Sequence, residues 1–227
     1  MKINIFAIGK RLKMDIKGII TGDIVKSSAI QPEKRTVLLD AIYTLEEELK
    51  ILSALRVELF RGDSFQIVVD NPAEALKIAV LFRAGLKSKT PKDIRKPWDA
   101  RISLGVGGIS YEADKVVVSD GEAFRLSGRE LDEIGKRRLT VKTRWEDINA
   151  ELKISTAFAD DIISGWSYAQ AQAVYLTLLH QNTQKDVAAR LNKTAQNISK
   201  LLGAAKETLI RNYLDRYYIL ITEKLHR

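Results

Sequence analysis

The sequence predicts an α+β fold followed by a small all-helical domain. Two observations carry this expectation. Up to Trp145, short apolar runs with strand-like alternation are interleaved with helix-period stretches and clear turn signals. Residues 151–227 contain no proline and almost no β-branched alternation, and their apolar positions recur at helical spacing. The change of character divides the chain into residues 1–145 and 146–227.

Residues 1–13 form a short piece ending in Lys10, Arg11 and Lys13, which reads either as an extra strand or as an extension ahead of Met14. Residues 16–21 read as a short apolar strand closed by Gly22-Asp23. Residues 31–53 are helical, with Leu38, Ile42, Leu45, Leu49 and Leu52 at spacings of three and four. Leu55–Phe60 and Ser64–Val69 flank the turn Arg61-Gly62-Asp63 and predict a hairpin. Asn71-Pro72-Ala73-Glu74 supplies a cap, a first-turn proline and an acidic residue, so a helix starts there and runs to about Lys87. Residues 89–97 are a basic loop with two prolines. Strands follow at 101–109 and 115–118, then a helix at 122–134 and a last strand at 138–143. The order strand, helix, hairpin, helix, strand is that of a ferredoxin-like α+β sheet.

Composition limits the chemistry. With 45% hydrophobic and 29% charged residues, the chain is an ordinary globular one. It has no cysteine, and its only histidines are His180 and His226, which removes thiolate and histidine-rich metal sites and leaves oxygen ligation. No apolar run is long enough for a membrane span, so no membrane partner and a cytoplasmic location are expected. Lys and Arg total 37 against 29 Asp and Glu, a net charge of +8. The excess is spread over both parts, 27 against 22 up to residue 150 and 10 against 7 beyond it. It favours a polyanionic partner without defining one.

Two aspartates stand where chemistry is expected. Asp23 follows the first strand, and Asp63 sits in the hairpin turn. In a ferredoxin-like sheet the first strand lies beside that hairpin, so the two carboxylates converge at one sheet edge. Two carboxylates and a backbone carbonyl suit Mg²⁺, which takes oxygen ligands and leaves positions for nucleotide phosphates. The N–H groups of Val25, Lys26, Ser27 and Ser28, ahead of a helix, suit phosphate oxygens.

The segments Ile20-Thr21-Gly22-Asp23-Ile24-Val25-Lys26-Ser27-Ser28 and Arg61-Gly62-Asp63-Ser64-Phe65-Gln66 resemble the metal-binding motifs of class III nucleotidyl cyclases. Together with Ser119-Asp120-Gly121-Glu122-Ala123-Phe124-Arg125-Leu126-Ser127-Gly128-Arg129, they resemble the bacterial SatD family over nearly all of the chain from Asp15. The resemblance implies a nucleotidyl-cyclase-like domain over residues 1–145. It makes Asp23 and Asp63 metal carboxylates, Ile24 a carbonyl ligand, and Arg125 a helix arginine that stabilises charge on a transferring phosphoryl group. The match departs at Gly121, where cyclases carry an asparagine, and at Leu59, where they carry a base-selecting Lys or Glu.

In the second part, residues 184–202 carry a helix-turn-helix pattern. Ala188 is small where two helices cross, Leu191, Ile198 and Leu201 face a core, and Asn192 occupies a turn position that needs positive φ. The second helix then exposes Thr194, Gln196, Asn197, Ser199 and Lys200, side chains suited to base edges and phosphates of double-stranded DNA. A preceding helix at 167–180 completes a three-helix core. The region resembles the DNA-binding modules of sigma factor region four and related bacterial regulators. Two basic clusters, Lys87, Lys89, Lys92, Arg95 and Lys96, and Lys136, Arg137, Arg138, Lys142 and Arg144, read as solvated loops and strand ends.

Three readings follow: a DNA-binding transcriptional regulator with a nucleotide- or metal-binding domain, in a homodimer or alone; a Mg²⁺-dependent enzyme of nucleotide chemistry; and a protein–protein adaptor with degenerate sites.

Overall fold

The computed structural model describes residues 15–60, 62–111 and 120–226. Its first part holds β1 (Ile16–Ile24), α1 (Pro32–Leu49), β2 (Leu55–Phe60), β3 (Ser64–Val69), α2 (Ala75–Ser88), β4 (Ala100–Tyr111), β5 (Asp120–Gly121), α3 (Glu122–Asp132) and β6 (Leu139–Thr143). The helices α4 (Glu146–Ser164), α5 (Tyr168–His180), α6 (Gln184–Leu191), α7 (Ala195–Ala204) and α8 (Glu207–Leu225) follow. The strand expected at 115–118 lies outside the described residues.

The strands run in the order β2-β3-β1-β4, with β1 antiparallel to both neighbours, which is the ferredoxin-like arrangement. The near end of β4 takes β6 in parallel, and its far end pairs with β5. One difference from the sequence expectation matters. Gly22 and Asp23 do not close the first strand but belong to it, because β1 stays paired with β4 as far as Ile24. Asp23 is therefore held on both sides by a ladder rather than in a turn.

Alternation along β1 sends Ile20 and Ile24 into the main core under α1 and α2, and Ile19 to the opposite face beneath α3. Two glycines permit close approach. A Cβ at Gly105 would stand 2.3 Å from the Ala123 carbonyl oxygen, so α3 rests directly on β4. At Gly22 it would stand 2.5 Å from the Arg101 carbonyl oxygen and 2.6 Å from the Phe65 ring.

The main core crosses residue 145 without interruption: Ile102, Leu104 and Leu86 share it with Ile148, Leu178 and Tyr217. Helix α5 packs on α2, and Tyr217 of α8 donates to the Pro72 carbonyl at 2.8 Å. Trp166, between α4 and α5, donates to the Ala205 carbonyl at 2.8 Å and so ties that corner to the end of α7. The later helices thus form a further layer over the helical face of the sheet.

Candidate functional site

Strand register builds the first site. Asp23 lies opposite Ser64 on β3 and opposite Arg101 on β4. Because directly paired residues share a face, the hairpin turn and an arginine arrive on the two sides of one carboxylate. Arg101 holds Asp23 in a two-pronged pair, Nε to Oδ1 at 2.9 Å and Nη2 to Oδ2 at 2.6 Å. The bond to Asp23, with Asp63 also nearby, raises the Arg101 pKa above its ordinary value.

After Ile24 the chain turns sharply. The Ile24 N–H donates to the Asp63 carbonyl at 3.0 Å, and the Val25 N–H to the Asp99 carbonyl at 2.9 Å. Lys26 takes a left-handed backbone conformation, φ 57°, and a single 3₁₀ turn over Ser27–Ala29 leads toward α1. The Ser27 hydroxyl donates to Asp63 Oδ2 at 2.5 Å, while Gly62, with φ 79°, lets the hairpin turn close beside it. A surface recess of about 380 Å³ results. It brings together every residue expected from sequence to hold metal or phosphate: Asp23, Ile24, Val25, Lys26, Ser27, Ser28 and Asp63. Arg101 also lines it, a residue that the sequence did not single out.

The donor set fits a hard divalent cation in kind. Both side chains are carboxylates, and no soft or imidazole ligand competes. Two carboxylates against Arg101 and Lys26 leave the recess lining with no net charge. Among the described residues no group of three or more His, Cys, Asp or Glu side chains could hold a metal by itself. A cation here would complete its shell with carbonyl, water or phosphate oxygens.

Arg125 stands apart. Thr21 and Ser127 share a 2.8 Å hydroxyl bond that fixes α3 on β1, but the Arg125 guanidinium pairs with Asp120 at 3.0 Å and does not line the recess. More than half of its side chain is exposed, 53%.

In the later helices, Thr183 and Asp186 form a reciprocal cap on α6, and Asn192 ends that helix in the left-handed region at φ 51°. Thr194 caps α7 by accepting from the Asn197 N–H. Ile198 is buried, whereas Thr194, Gln196, Asn197, Ser199 and Lys200 are all exposed.

The two basic clusters are not wholly solvated, contrary to expectation. Lys87, at the end of α2, is buried, and Arg138, ahead of β6, is half-buried. Both reach Asp99, Lys87 Nζ at 3.1 Å and Arg138 Nη1 at 2.9 Å from Oδ2. Arg83, fully buried one helical turn earlier, binds Asp99 through Nε at 2.9 Å and Nη2 at 3.0 Å, and gives Nη1 to Asp160 of α4 at 2.9 Å. Burial alone would push the Asp99 carboxyl up. Arg83 and Lys87 outweigh it and hold the pKa down at about 2.

The sequence matches no protein-family model and no curated protein. Its similarities are to solved structures. One is the monomeric guanylyl cyclase domain of the RhoGC fusion protein from the aquatic fungus Blastocladiella emersonii, at 17% identity and a TM-score of 0.43, over 52% of this chain and 75% of that one. Another is a bacterial light-regulated adenylyl cyclase, at 14% identity and a TM-score of 0.44, over 57% and 76%. A third is the guanylyl cyclase Cya2, at 14% identity and a TM-score of 0.39, over 52% and 70%. No residue role is carried over from them. No helix among the described residues is long and apolar enough to cross a membrane.

Proposed function

We propose that the recess between β1 and the β2–β3 hairpin binds the phosphates of a nucleotide together with a divalent cation such as Mg²⁺. The observation that carries this reading is the convergence of Asp23, Asp63 and Arg101 on one side of the Lys26–Ser28 turn. Carboxylates next to an arginine would be a poor arrangement for a purely acidic or purely basic ligand. They suit one that brings cation and anion together.

Asp23 and Asp63 would hold the metal, with the Ile24 carbonyl as a further donor. When bound, the metal neutralises phosphate charge as a Lewis acid. The remaining work belongs to the chain. Arg101, paired with Asp23, would offer part of its guanidinium to phosphate oxygen, a strong charge-assisted partner. The N–H groups of residues 26–28 would meet the same oxygens, the Val25 N–H being held by the Asp99 carbonyl, and the Ser27 hydroxyl keeps Asp63 aimed into the recess. The resemblance of the three sequence blocks to the SatD family supports placing this module in a bacterial regulator.

The test is thermal denaturation with a panel of nucleoside mono-, di- and triphosphates, with and without Mg²⁺. A Mg²⁺-dependent rise in Tm is expected for at least one nucleotide, lost in Asp23→Asn and in Asp63→Asn. If no nucleotide raises the Tm, or if both variants respond as the parent does, the reading falls. Mg²⁺-dependent consumption of a nucleoside triphosphate in the same samples would extend it to catalysis.

A second reading rests on a separate observation: the left-handed Asn192 turn between α6 and α7, with Gln196, Asn197, Ser199 and Lys200 on the exposed face of α7 after its cap Thr194. That face suits the major groove of double-stranded DNA. Binding that falls steeply with salt and weakens in Lys200→Ala is expected. A low-salt duplex titration with no complex would remove the DNA reading and leave the nucleotide reading intact.

A further inference from the structure

A second recess lies on the other side of the Val25–Lys26 strip. Its volume is about 530 Å³, within the range of small-molecule sites. Lys87, Asp99 and Arg138 form one wall, Ile30, Ile94 and Trp98 another.

Charge counting identifies what it lacks. The network behind it contains Arg83, Lys87 and Arg138 against Asp99 and Asp160, three positive charges to two negative. Arg83 is fully buried, and only 4% of the Lys87 side chain is exposed. These two balance Asp99 and Asp160, so the unmatched positive charge is that of Arg138, 35% exposed at the recess, where an anion can reach it. Burial accordingly lowers the Lys87 pKa even with Asp99 in contact, and Arg83 and Arg138 push the same way. At the rim, Lys34 is paired with Asp93 at 2.6 Å, whereas Lys26 and Lys96 are exposed. The wall residues and these rim residues sum to +3, five cations less two carboxylates.

We propose that this recess is an anion site for a small organic phosphate monoester. Its phosphate lies against Lys87 and Arg138, and its apolar body against Ile30, Ile94 and Trp98. A monoester dianion supplies the charge that the network lacks, and the remaining rim positives hold its outer oxygens. The apolar wall gives no stabilisation to inorganic phosphate, so an ester is the fitting occupant. The site requires no metal and does not depend on the nucleotide reading of the carboxylate recess.

Phenyl phosphate is the probe, titrated into the full chain in EDTA with calorimetry and tryptophan fluorescence as readouts. Saturable one-to-one binding is expected. Arg138→Gln and the exposed, fold-neutral Lys96→Glu should each weaken it about tenfold or more, the loss of a charge-assisted contact. Arg101→Gln, which removes a cation that lines only the other recess, should leave the affinity within about twofold. Inorganic phosphate should bind more weakly than phenyl phosphate. Any of four results overturns the proposal: no saturation, unchanged affinity in both Arg138→Gln and Lys96→Glu, a loss in Arg101→Gln as large as theirs, or inorganic phosphate binding as tightly as the ester.

Discussion

Asp23 and Asp99 both hold an arginine in a two-pronged pair, yet they sit in opposite surroundings. Asp23 has 19% of its side chain exposed and a partner, Arg101, exposed to 41%. Asp99 is 3% exposed and meets three cations, Arg83, Lys87 and Arg138. The open pair can exchange partners with solvent, a metal or a phosphate at little cost. In the closed group the bonds of Arg83 and Lys87 to Asp99 also satisfy charges removed from water and do not exchange cheaply, and Arg138, 35% exposed, is its open member. The open pair rests on its own two partners, whereas the closed group also supports the helices around it.

The sharpest way to break this contrast is Asp99→Asn. It leaves Arg83, Lys87 and Arg138 facing a single carboxylate, Asp160, and should lower the unfolding free energy by about 3–5 kcal/mol in urea titration. A loss below about 1 kcal/mol, the range of a surface pair, would erase the distinction.

Gly22→Ala comes next. Its Cβ would press on the Arg101 carbonyl oxygen and the Phe65 ring, so about 1–3 kcal/mol should be lost. Because Arg101 itself must shift, the Mg²⁺-dependent nucleotide response should go with it.

Asp63→Asn should separate function from stability. The Ser27 bond is worth about 1 kcal/mol, so denaturation should change little while the nucleotide-dependent Tm rise disappears. Acid titration sharpens the same point for Asp99. Its folded pKa of about 2 lies below the unfolded carboxyl value of about 3.9. The stability it contributes is present above the unfolded value and lost as pH falls toward the folded one. Urea midpoints measured downward from about pH 5 should therefore fall toward pH 2, and the Asp99 share of that fall should be missing in Asp99→Asn. Arg125→Ala marks the small end: its exposed pair with Asp120 should be worth about 0–1 kcal/mol.

Much of the carboxylate recess was legible in the sequence because its signals are local. Turn chemistry marked Asp63, a strand end marked Asp23, and the hairpin fixed which strand lies beside which. Arg101 was not legible. Nothing near it in the sequence indicates that it faces Asp23, since that follows only from the long-range register of β1 on β4. Lys87 and Arg138 failed for a related reason. Each reads as a basic residue at an element end, and each is drawn inward by a network that includes Asp160 from a later helix. The C-terminal end of β1 was misplaced because Gly22-Asp23 looks like a turn, while a close-packed ladder also needs a glycine there.

The strip formed by Val25 and Lys26 is the common wall of both recesses, and its backbone is tied to Asp99 through the Val25 N–H. If both recesses take ligands, this shared strip is where their occupants would act on one another, and any such coupling is reciprocal. Whatever factor an occupant of one side imposes on affinity at the other must be returned in full, so the coupling can be read from either ligand.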